Sequence, residues 1–182
     1  MHPRFLRPAL SLLLAVCLLP QPKAHSAPGA NPIPFPEVYF SPEGGCTEAI
    51  LREISRARSS ILVQAYSFTS APIAEALVQA ARRKIRVEVI LDKSNRTGRY
   101  SSADFLAHAH IPTWIDARHA IAHNKILIID SATVVTGSFN FTRAAEEHNA
   151  ENLLILRSPA LAARYVENFH EHRAHAEPYA GR

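Results

Sequence analysis

Cysteine is scarce in this chain, which has only Cys17 and Cys46 among its 182 residues. Cys17 lies in an N-terminal segment that we expect to be removed, so Cys46 would have no partner in the same chain. A fold held together by internal disulfides is therefore excluded. In an oxidising compartment Cys46 would be a buried thiol or, as the alternative, a bridge between subunits.

The N-terminal apolar run, residues 9–19, is shorter than the about 20 residues that a membrane-spanning helix needs. Two arginines precede the run and the small-residue segment 24–27 follows it, an order typical of an export signal. We expect residues 1–26 to be a signal peptide cleaved after Ser26, which predicts a periplasmic or secreted protein. An uncleaved membrane anchor and a lipoprotein signal at Cys17 are the alternatives.

Positive charge is also limited once the predicted signal peptide is set aside. The whole chain has 20 Lys and Arg against 16 Asp and Glu, a formal net charge of +4. Residues 1–26 contain three of the basic residues and no acid, so seventeen basic side chains face sixteen acidic ones, a net charge of +1. This charge does not support a globally basic nucleic-acid binder, and phosphate affinity has to come from local clusters such as residues 82–86 or 93–99.

The chain has no internal repeat and no low-complexity segment. Residues 27–36 are rich in Pro, Gly and Asn and indicate a linker, and residues 37–182 are predicted to form one domain. Apolar periodicity predicts strands at 38–40, 60–68, 85–91, 111–115, 124–129, 133–136 and 152–156, and helices at 47–58, 72–84, 102–108, 142–147 and 159–175. This alternation predicts an α/β fold with a mixed, largely parallel sheet and helices on both faces.

The most informative segment begins at His123-Asn124-Lys125 and continues through Asp130 to Gly137-Ser138-Phe139-Asn140. Its pattern is H-x-K-x4-D-x6-G-S-x-N, and aliphatic or β-branched residues on both sides of Asp130 indicate two buried strands. Side chains two apart on a strand share a face, so His123 and Lys125 are predicted to point the same way.

These residue types suit attack on a phosphodiester. A neutral imidazole at His123 can attack phosphorus and form a phosphoramidate that water later hydrolyses. Lys125 supplies a cation, while Ser138 and Asn140 supply neutral donors for the phosphate oxygens. None of these steps needs a metal or a cofactor. Asp130 is predicted to be a turn residue, because Asp favours turns.

One imidazole cannot readily attack phosphorus and protonate the leaving group in the same step. Two histidines are needed, one neutral and one protonated. Because the pattern occurs once per chain, the simplest solution is a twofold homodimer in which two copies of His123 share one site.

These residues resemble the HKD motif of the phospholipase D superfamily. The resemblance extends to residues 66–69, 97–99, 137–142 and 149–152, and covers nearly all of residues 27–182. Within the superfamily the chain is similar to the short, exported endonucleases with a single motif. The resemblance implies a homodimer with one shared site that cleaves DNA and RNA without sequence preference and without a divalent metal.

The resemblance also implies a role for each matching residue. His123 would be the nucleophile in one subunit and the general acid in the other. Lys125, Ser138 and Asn140 would bind the phosphate, and Glu151 would hydrogen-bond and orient the histidine. Asp130, the named acid of the motif, would act structurally and away from phosphorus.

Three functions remain open at this point. A non-specific endonuclease comes first, a phospholipase D or cardiolipin hydrolase with the same chemistry second, and a non-catalytic nucleic-acid-binding module third. Arg99 is a candidate for binding substrate phosphate, with a solvated loop arginine as the alternative, and Phe141 is expected in the core. His172 and His175 share a helix face that His170 does not join, so we expect no metal site there.

Overall fold

The strands form one eight-stranded sheet. The computed structural model describes residues 35–182, so the predicted signal peptide and all but the last two residues of the predicted linker lie outside the described residues. The elements are β1 (Glu37–Ser41), α1 (Cys46–Arg56), β2 (Ser60–Ala65), α2 (Ala71–Arg82), β3 (Arg86–Asp92), a 3-10 turn (Lys93–Arg96), α3 (Ala103–His108), β4 (Thr113–Asp116), β5 (Lys125–Ile129), β6 (Thr133–Gly137), α4 (Arg143–Glu147), β7 (Glu151–Arg157), α5 (Pro159–His175) and β8 (Glu177–Tyr179).

The sheet has the order β1-β7-β6-β5-β2-β3-β4-β8. Its mixed α/β class is as predicted, but parallel pairing is confined to β2–β3 and β3–β4. The other five pairs within residues 35–182 are antiparallel. The sheet is thus less parallel than expected, because β5, β6 and β7 follow one another as antiparallel neighbours, with only the short helix α4 between β6 and β7. The short edge strand β8 was not predicted, because proline argues against a strand. Pro178 is accommodated here because β8 lies at the edge of the sheet, where a missing N–H is tolerated.

Alternation along the strands divides the core into two layers. Odd-numbered residues such as Val63 and Leu127 pack with α1, α2 and α3 in the larger cluster. Even-numbered residues such as Leu62 and Ile128 pack against Phe169 of α5 on the opposite face. Helices therefore cover both faces of the sheet, as the sequence predicts.

Helix α5 starts and ends on clear local signals. The Ser158 hydroxyl accepts a hydrogen bond from the Leu161 N–H, and Pro159 occupies the first helical turn, where its missing N–H has no consequence. Arg173 lies in the last turn, where its positive charge interacts favourably with the helix dipole. No helix among the described residues, α5 included, is both long enough and apolar enough to cross a membrane.

The single cysteine of the described residues is buried, as expected. Cys46 begins α1 and is fully shielded from solvent. Burial, with a smaller effect from the nearby Glu146 carboxylate, raises the pKa of the thiol to about 11. The bridge between subunits is therefore disfavoured, because neither exposure nor thiolate character is present.

The hairpin joining β5 to β6 sets the position of the motif. Asp130 and Ser131 have φ values of 52° and 50°, and the Ala132 N–H donates a hydrogen bond of 3.0 Å to the Ile129 carbonyl, so both central residues of this tight turn are left-handed. The register pairs Leu127 with Val135, and its continuation puts Gly137 opposite Lys125. The turn therefore returns the chain to the end of the sheet where β5 began.

Gly137 permits the next strand to approach closely. Its φ is 150°, and a Cβ at this position would lie 2.2 Å from the carbonyl oxygen of Asn152 on β7. That oxygen accepts hydrogen bonds from the backbone N–H groups of Ser138 and Phe139, at 3.1 and 3.2 Å. Any larger residue would push β6 from β7 and displace Ser138 from its position.

Candidate active site

The residues of the motif surround one open pocket of about 350 Å³. Its lining residues are His123, Lys125, Gly137, Ser138, Asn140 and Glu151. All five side chains predicted to be catalytic, which are those of the lining residues other than Gly137, are therefore brought together, although residues 123 and 151 are far apart in sequence. These residues converge because the antiparallel strands β5, β6 and β7 have their adjoining ends at the same end of the sheet: β5 begins there, β6 ends there and β7 begins there.

His123 is exposed but stands on a well-held backbone. The buried Asp92 carboxylate accepts a hydrogen bond of 2.8 Å from the Ala122 N–H. On the other side, the Asn124 carbonyl accepts a hydrogen bond of 2.8 Å from the Tyr66 N–H. The Tyr66 ring lies 4.6 Å from the imidazole of His123, centroid to centroid. The imidazole is thus presented to solvent from a segment fixed on both flanks.

Lys125 is only 7% exposed, which is unusual for a lysine. Its Nζ donates a hydrogen bond of 2.8 Å to the His123 carbonyl and lies 5.0 Å from the centre of the Tyr66 ring. Burial lowers the pKa of Lys125, while the charge of Glu151 raises it and offsets part of that effect. The ammonium group is therefore short of counter-charge, a condition that an anionic phosphodiester would relieve.

Ser138 and Glu151 form a hydrogen-bonded pair across β6 and β7. The Ser138 hydroxyl donates to Glu151 Oε2 at 2.6 Å and accepts from the Asn152 backbone N–H at 3.1 Å. The other carboxylate oxygen of Glu151 accepts from the Asn149 amide at 3.0 Å. Within residues 35–182 Glu151 makes no hydrogen bond to His123, so its role in orienting the imidazole stays a prediction.

Asn140 contributes a polar group that is available for a ligand. Its Oδ1 is buried and has no hydrogen-bond partner among the described residues. A half-turn of the amide exchanges its oxygen for its N–H group, so the side chain can present a donor to a phosphate oxygen. Buried polar atoms without partners are uncommon, which favours a substrate contact here.

Two buried aromatic residues, Phe139 and Phe141, anchor the segment 138–141 in the core. Phe139 is fully buried and Phe141 is 1% exposed, so Ser138 and Asn140 alternate with them and face the pocket. The Phe141 ring meets the Phe68 ring edge-on at 5.6 Å, and its carbonyl accepts hydrogen bonds from the N–H groups of Thr69 and Ser70. The expectation that Phe141 lies in the core is confirmed.

Asp130 lies at the far end of β5 from the pocket. Its carboxylate accepts hydrogen bonds from the backbone N–H groups of Arg58, Ser59 and Ser60 and from the Ser59 hydroxyl, at 2.8 to 3.2 Å. Burial raises the pKa of Asp130, but these donors outweigh burial and hold it below the ordinary value. The acid of the motif thus joins the turn to the start of β2.

Arg99 is exposed and does not line the pocket. Its guanidinium lies 5.4 Å from the centre of the exposed Tyr100 ring. The loop that carries it is nevertheless tied to the site, because Asn95 donates a hydrogen bond of 2.6 Å to the Tyr66 carbonyl. A role for Arg99 in binding substrate stays a prediction.

The sequence patterns gave no role to three residues that the structure places around the pocket. Tyr66 contacts His123 and Lys125, while Asn149 and Asn152 hydrogen-bond the Ser138–Glu151 pair. All three fall in the segments 66–69 and 149–152 that carry the family resemblance. That resemblance was the available signal, since neither aromatic rings nor amides in loops have a distinctive spacing.

A second group of polar side chains lies outside the pocket, where β4 and α5 end. This Asp–His cluster consists of Asp116, His119, His172 and His175. The sequence singled out the two helix histidines but not their partners, because Asp116 and His119 lie on another element more than fifty residues earlier.

The fold agrees with comparisons to known proteins. Residues 50–173, more than half of the chain, match the family described as "Cardiolipin synthase, PLD-like domain". The chain belongs to the phospholipase D superfamily. The family match, together with the relatives named below, identifies this chain as a phosphodiesterase of the superfamily.

Individual members are similar over most of the described residues. A "Phospholipase D" of Rickettsia felis is 44% identical over 135 residues, which cover 74% of this chain and 68% of the relative. A "Mitochondrial cardiolipin hydrolase" of Xenopus laevis is 29% identical over 76% of this chain and 62% of the relative. The crystal structure of Nuc, a phospholipase D family member from Salmonella typhimurium, matches with a TM-score of 0.77 and 38% identity, covering 79% of this chain and 97% of Nuc.

Replacement of the Asp130 carboxylate tests its structural role in this phospholipase D fold. We expect Asp130→Asn to lower the free energy of unfolding by about 1–3 kcal/mol at pH 7, because an amide N–H would face the Arg58 N–H. A depressed carboxyl pKa stabilises the fold above the unfolded-state value near pH 4. That contribution disappears as the pH falls through the native pKa, so the difference between variant and wild type should shrink below about pH 4.

Urea unfolding at several pH values measures this difference. Glu171→Gln, at an exposed acid of α5, is the matched control and should leave stability within about 0.5 kcal/mol. Equal stability of the two variants at pH 7 would contradict the role given to Asp130.

The pKa of Lys125 is predicted to depend on burial and on the neighbouring Glu151 carboxylate. Its amine should titrate below the ordinary lysine value of 10.5, and Glu151→Gln should lower the pKa further by removing the charge that raises it. The ¹³Cε chemical shift of Lys125, assigned with Lys125→Arg, follows the titration directly. A lysine that titrates like one in an unstructured peptide, unaffected by Glu151→Gln, would show that the ammonium is solvated.

Proposed function

We propose that this protein is a metal-independent endonuclease that cleaves DNA, with RNA as a second substrate, at an active site shared by two protomers. The main support for this proposal is the pocket, in which the exposed imidazole of His123 lies beside the buried ammonium group of Lys125 and the neutral side chains of residues 138 and 140. Cleavage proceeds through a phosphohistidine intermediate. The protein would act after export, in the periplasm or outside the cell.

The reaction needs two proton transfers and two displacements. A ring nitrogen of His123 attacks phosphorus, and the bond from phosphorus to the leaving oxygen breaks. The protonated His123 of the second protomer gives its proton to that oxygen, which departs as an alcohol. Water then attacks the phosphohistidine and loses a proton to the second imidazole, which restores both histidines and releases a phosphomonoester.

The pocket stabilises the charge that develops during each displacement. Lys125 supplies a positive charge in a region of low exposure, where electrostatic interactions are strengthened. The amide of Asn140 and the hydroxyl of Ser138 add neutral donors. For Ser138 to donate to phosphate, its hydroxyl has to turn from Glu151, to which it is hydrogen-bonded.

A dimer explains both the single motif and the surface around it. His123 is exposed, and so is Ile121 two residues before it, at 54%. Phe40 is 65% exposed and pairs in register with Asn152, beside Glu151. A second copy packed over this region would cover both apolar side chains and bring a second imidazole to the pocket.

The polar and basic loop beside the pocket supports a nucleic-acid substrate. Lys93 and Arg99 lie on the segment that Asn95 joins to Tyr66, and Lys93 itself donates to the His119 carbonyl at 3.1 Å. Such side chains suit the repeated phosphates of a nucleic-acid backbone. The named Rickettsia and Xenopus relatives favour a second candidate, a phospholipase or cardiolipin hydrolase, in which Phe40 and Ile121 would contact acyl chains.

Parallel assays in EDTA separate these substrates. Plasmid DNA and cardiolipin-containing vesicles are each incubated with the protein, and we expect the DNA to be cleaved while the lipid stays intact. His123→Ala should lower cleavage at least about 10³-fold, because the nucleophile and the acid are lost together. His170→Ala, at an exposed histidine outside the pocket, is the control and should retain activity.

Each other outcome of these assays selects a different function. Lipid hydrolysis with intact DNA would favour the second candidate, and DNA binding without cleavage would indicate a non-catalytic module. Undiminished cleavage by His123→Ala would contradict the phosphohistidine mechanism for either substrate.

Mixed dimers test the sharing of one site. When equal amounts of wild type and His123→Ala are allowed to exchange protomers, activity should fall to about a quarter of the wild-type value, because only dimers with two imidazoles complete the reaction. Independent sites would give about half. A wild-type and His170→Ala mixture should lose no activity, and a fully active monomer in sedimentation would overturn the shared site.

A further inference from the structure

The Asp–His cluster combines four potential metal ligands from three segments of the chain. Asp116 ends β4, His119 lies in the segment leading to β5, and His172 and His175 occupy the last turn of α5. Two helix positions three apart share a face, which explains why both histidines point towards the end of β4.

The donor atoms are close enough to share one small cation. Asp116 Oδ2 lies 2.7 Å from His172 Nδ1, 3.3 Å from His175 Nε2 and 3.7 Å from His119 Nε2. All the donor atoms lie within 4.8 Å of one another. Ligands of a tetrahedral zinc ion are separated by about 3.3–3.5 Å, given bonds of about 2.0–2.2 Å. Small side-chain rotations would therefore complete a four-ligand site.

The second carboxylate oxygen of Asp116 is already engaged. Its Oδ1 accepts a hydrogen bond of 3.1 Å from the Arg118 N–H, which fixes the orientation of the group and leaves Oδ2 directed at the imidazoles. The backbone of His119 is held as well, because its carbonyl accepts from Lys93. Outer contacts of this kind orient the ligands of protein metal sites.

Charge balance favours an ion in this cluster. The Asp116 side chain is 0% exposed, and those of His172 and His175 are 16% and 20% exposed. The three imidazole rings lie 5.0 to 5.4 Å apart beside this carboxylate. A divalent cation would neutralise the buried carboxylate and take ring nitrogens as its other ligands. Three imidazoles and one carboxylate suit zinc rather than magnesium or calcium, which prefer oxygen ligands.

The cluster is separate from the phosphate pocket. Register places Asp116 beside Asp92, Leu91 beside Ala65, and Ala65 beside Lys125. Three strand spacings of about 4.8 Å put the cluster about 14 Å from Lys125 along the sheet. Between them lies a cavity of about 10 Å³ whose lining includes Gln64, a buried amide with no hydrogen-bond partner among the described residues.

We propose that the Asp–His cluster binds one zinc ion in a structural, four-ligand site that joins α5 to the segment leading into His123. The ion takes no part in the displacement at phosphorus. It holds the start of the segment 117–124, while Asp92 holds its end at Ala122. The expectation that the helix histidines bind no metal is thereby replaced, because their partners come from a different element.

Metal binding is measured on the exported form of the chain after EDTA treatment and removal of the chelator. Titration with zinc chloride should give one ion per chain and raise the melting temperature by about 5 °C or more. Cobalt(II) in place of zinc should give the intense visible absorption of a tetrahedral site. Neither readout depends on catalysis, so the result is independent of the proposed nuclease activity.

His119→Ala tests the ligand set without disturbing a buried position, since the His119 side chain is 43% exposed. The metal-free variant should melt like the metal-free wild type but bind zinc at least about 10-fold more weakly. His170→Ala, on the same helix, should bind zinc normally. Zinc affinity unchanged in His119→Ala, or no zinc bound by the wild type at equimolar concentration, would overturn the site.

Discussion

The register between β5 and β6 is the constraint on which the site depends. A one-residue slip would turn Lys125 to the opposite face of the sheet, since side chains alternate along a strand. Two features prevent it: the left-handed pair Asp130–Ser131 fixes the loop length, and the Asp130 carboxylate binds the N–H groups that start β2. The acid of the motif thus acts on the pocket from the other end of the strand, through alignment rather than contact.

Burial of Lys125 suits the pocket to an anionic ligand. A lysine on the rim would be satisfied by water, but here the ammonium has one carbonyl, one aromatic face and the more distant charge of Glu151. Its desolvation disfavours the charged form, and a bound phosphodiester reverses that effect. Binding of the substrate phosphate would therefore favour the charged form of Lys125, the form that binds phosphate best.

The sequence predicted those features that are encoded locally. Strand periodicity and the spacing of the motif placed His123, Lys125, Ser138 and Asn140 together, and apolar spacing located each helix to within a few residues. The contacts of Tyr66 and the Asp–His cluster were not predicted. Both join residues of different elements, and the periodicity within one element carries no information about such contacts. The sequence also predicted more parallel strand pairs than the sheet has. Parallel and antiparallel strands are joined by different connections but have similar compositions, so the strand patterns alone did not distinguish them.

Two neighbouring carboxylates connect the pocket with the cluster. Asp92 and Asp116 end the parallel strands β3 and β4 side by side in register, and each accepts a hydrogen bond from the segment 117–124. Buried carboxylates are costly unless their donors are in place. That segment is therefore held at two points by these carboxylates, and its residue His123 lines the pocket. An exposed nucleophile can be positioned accurately in this way, because the rigidity lies in the buried acids behind it.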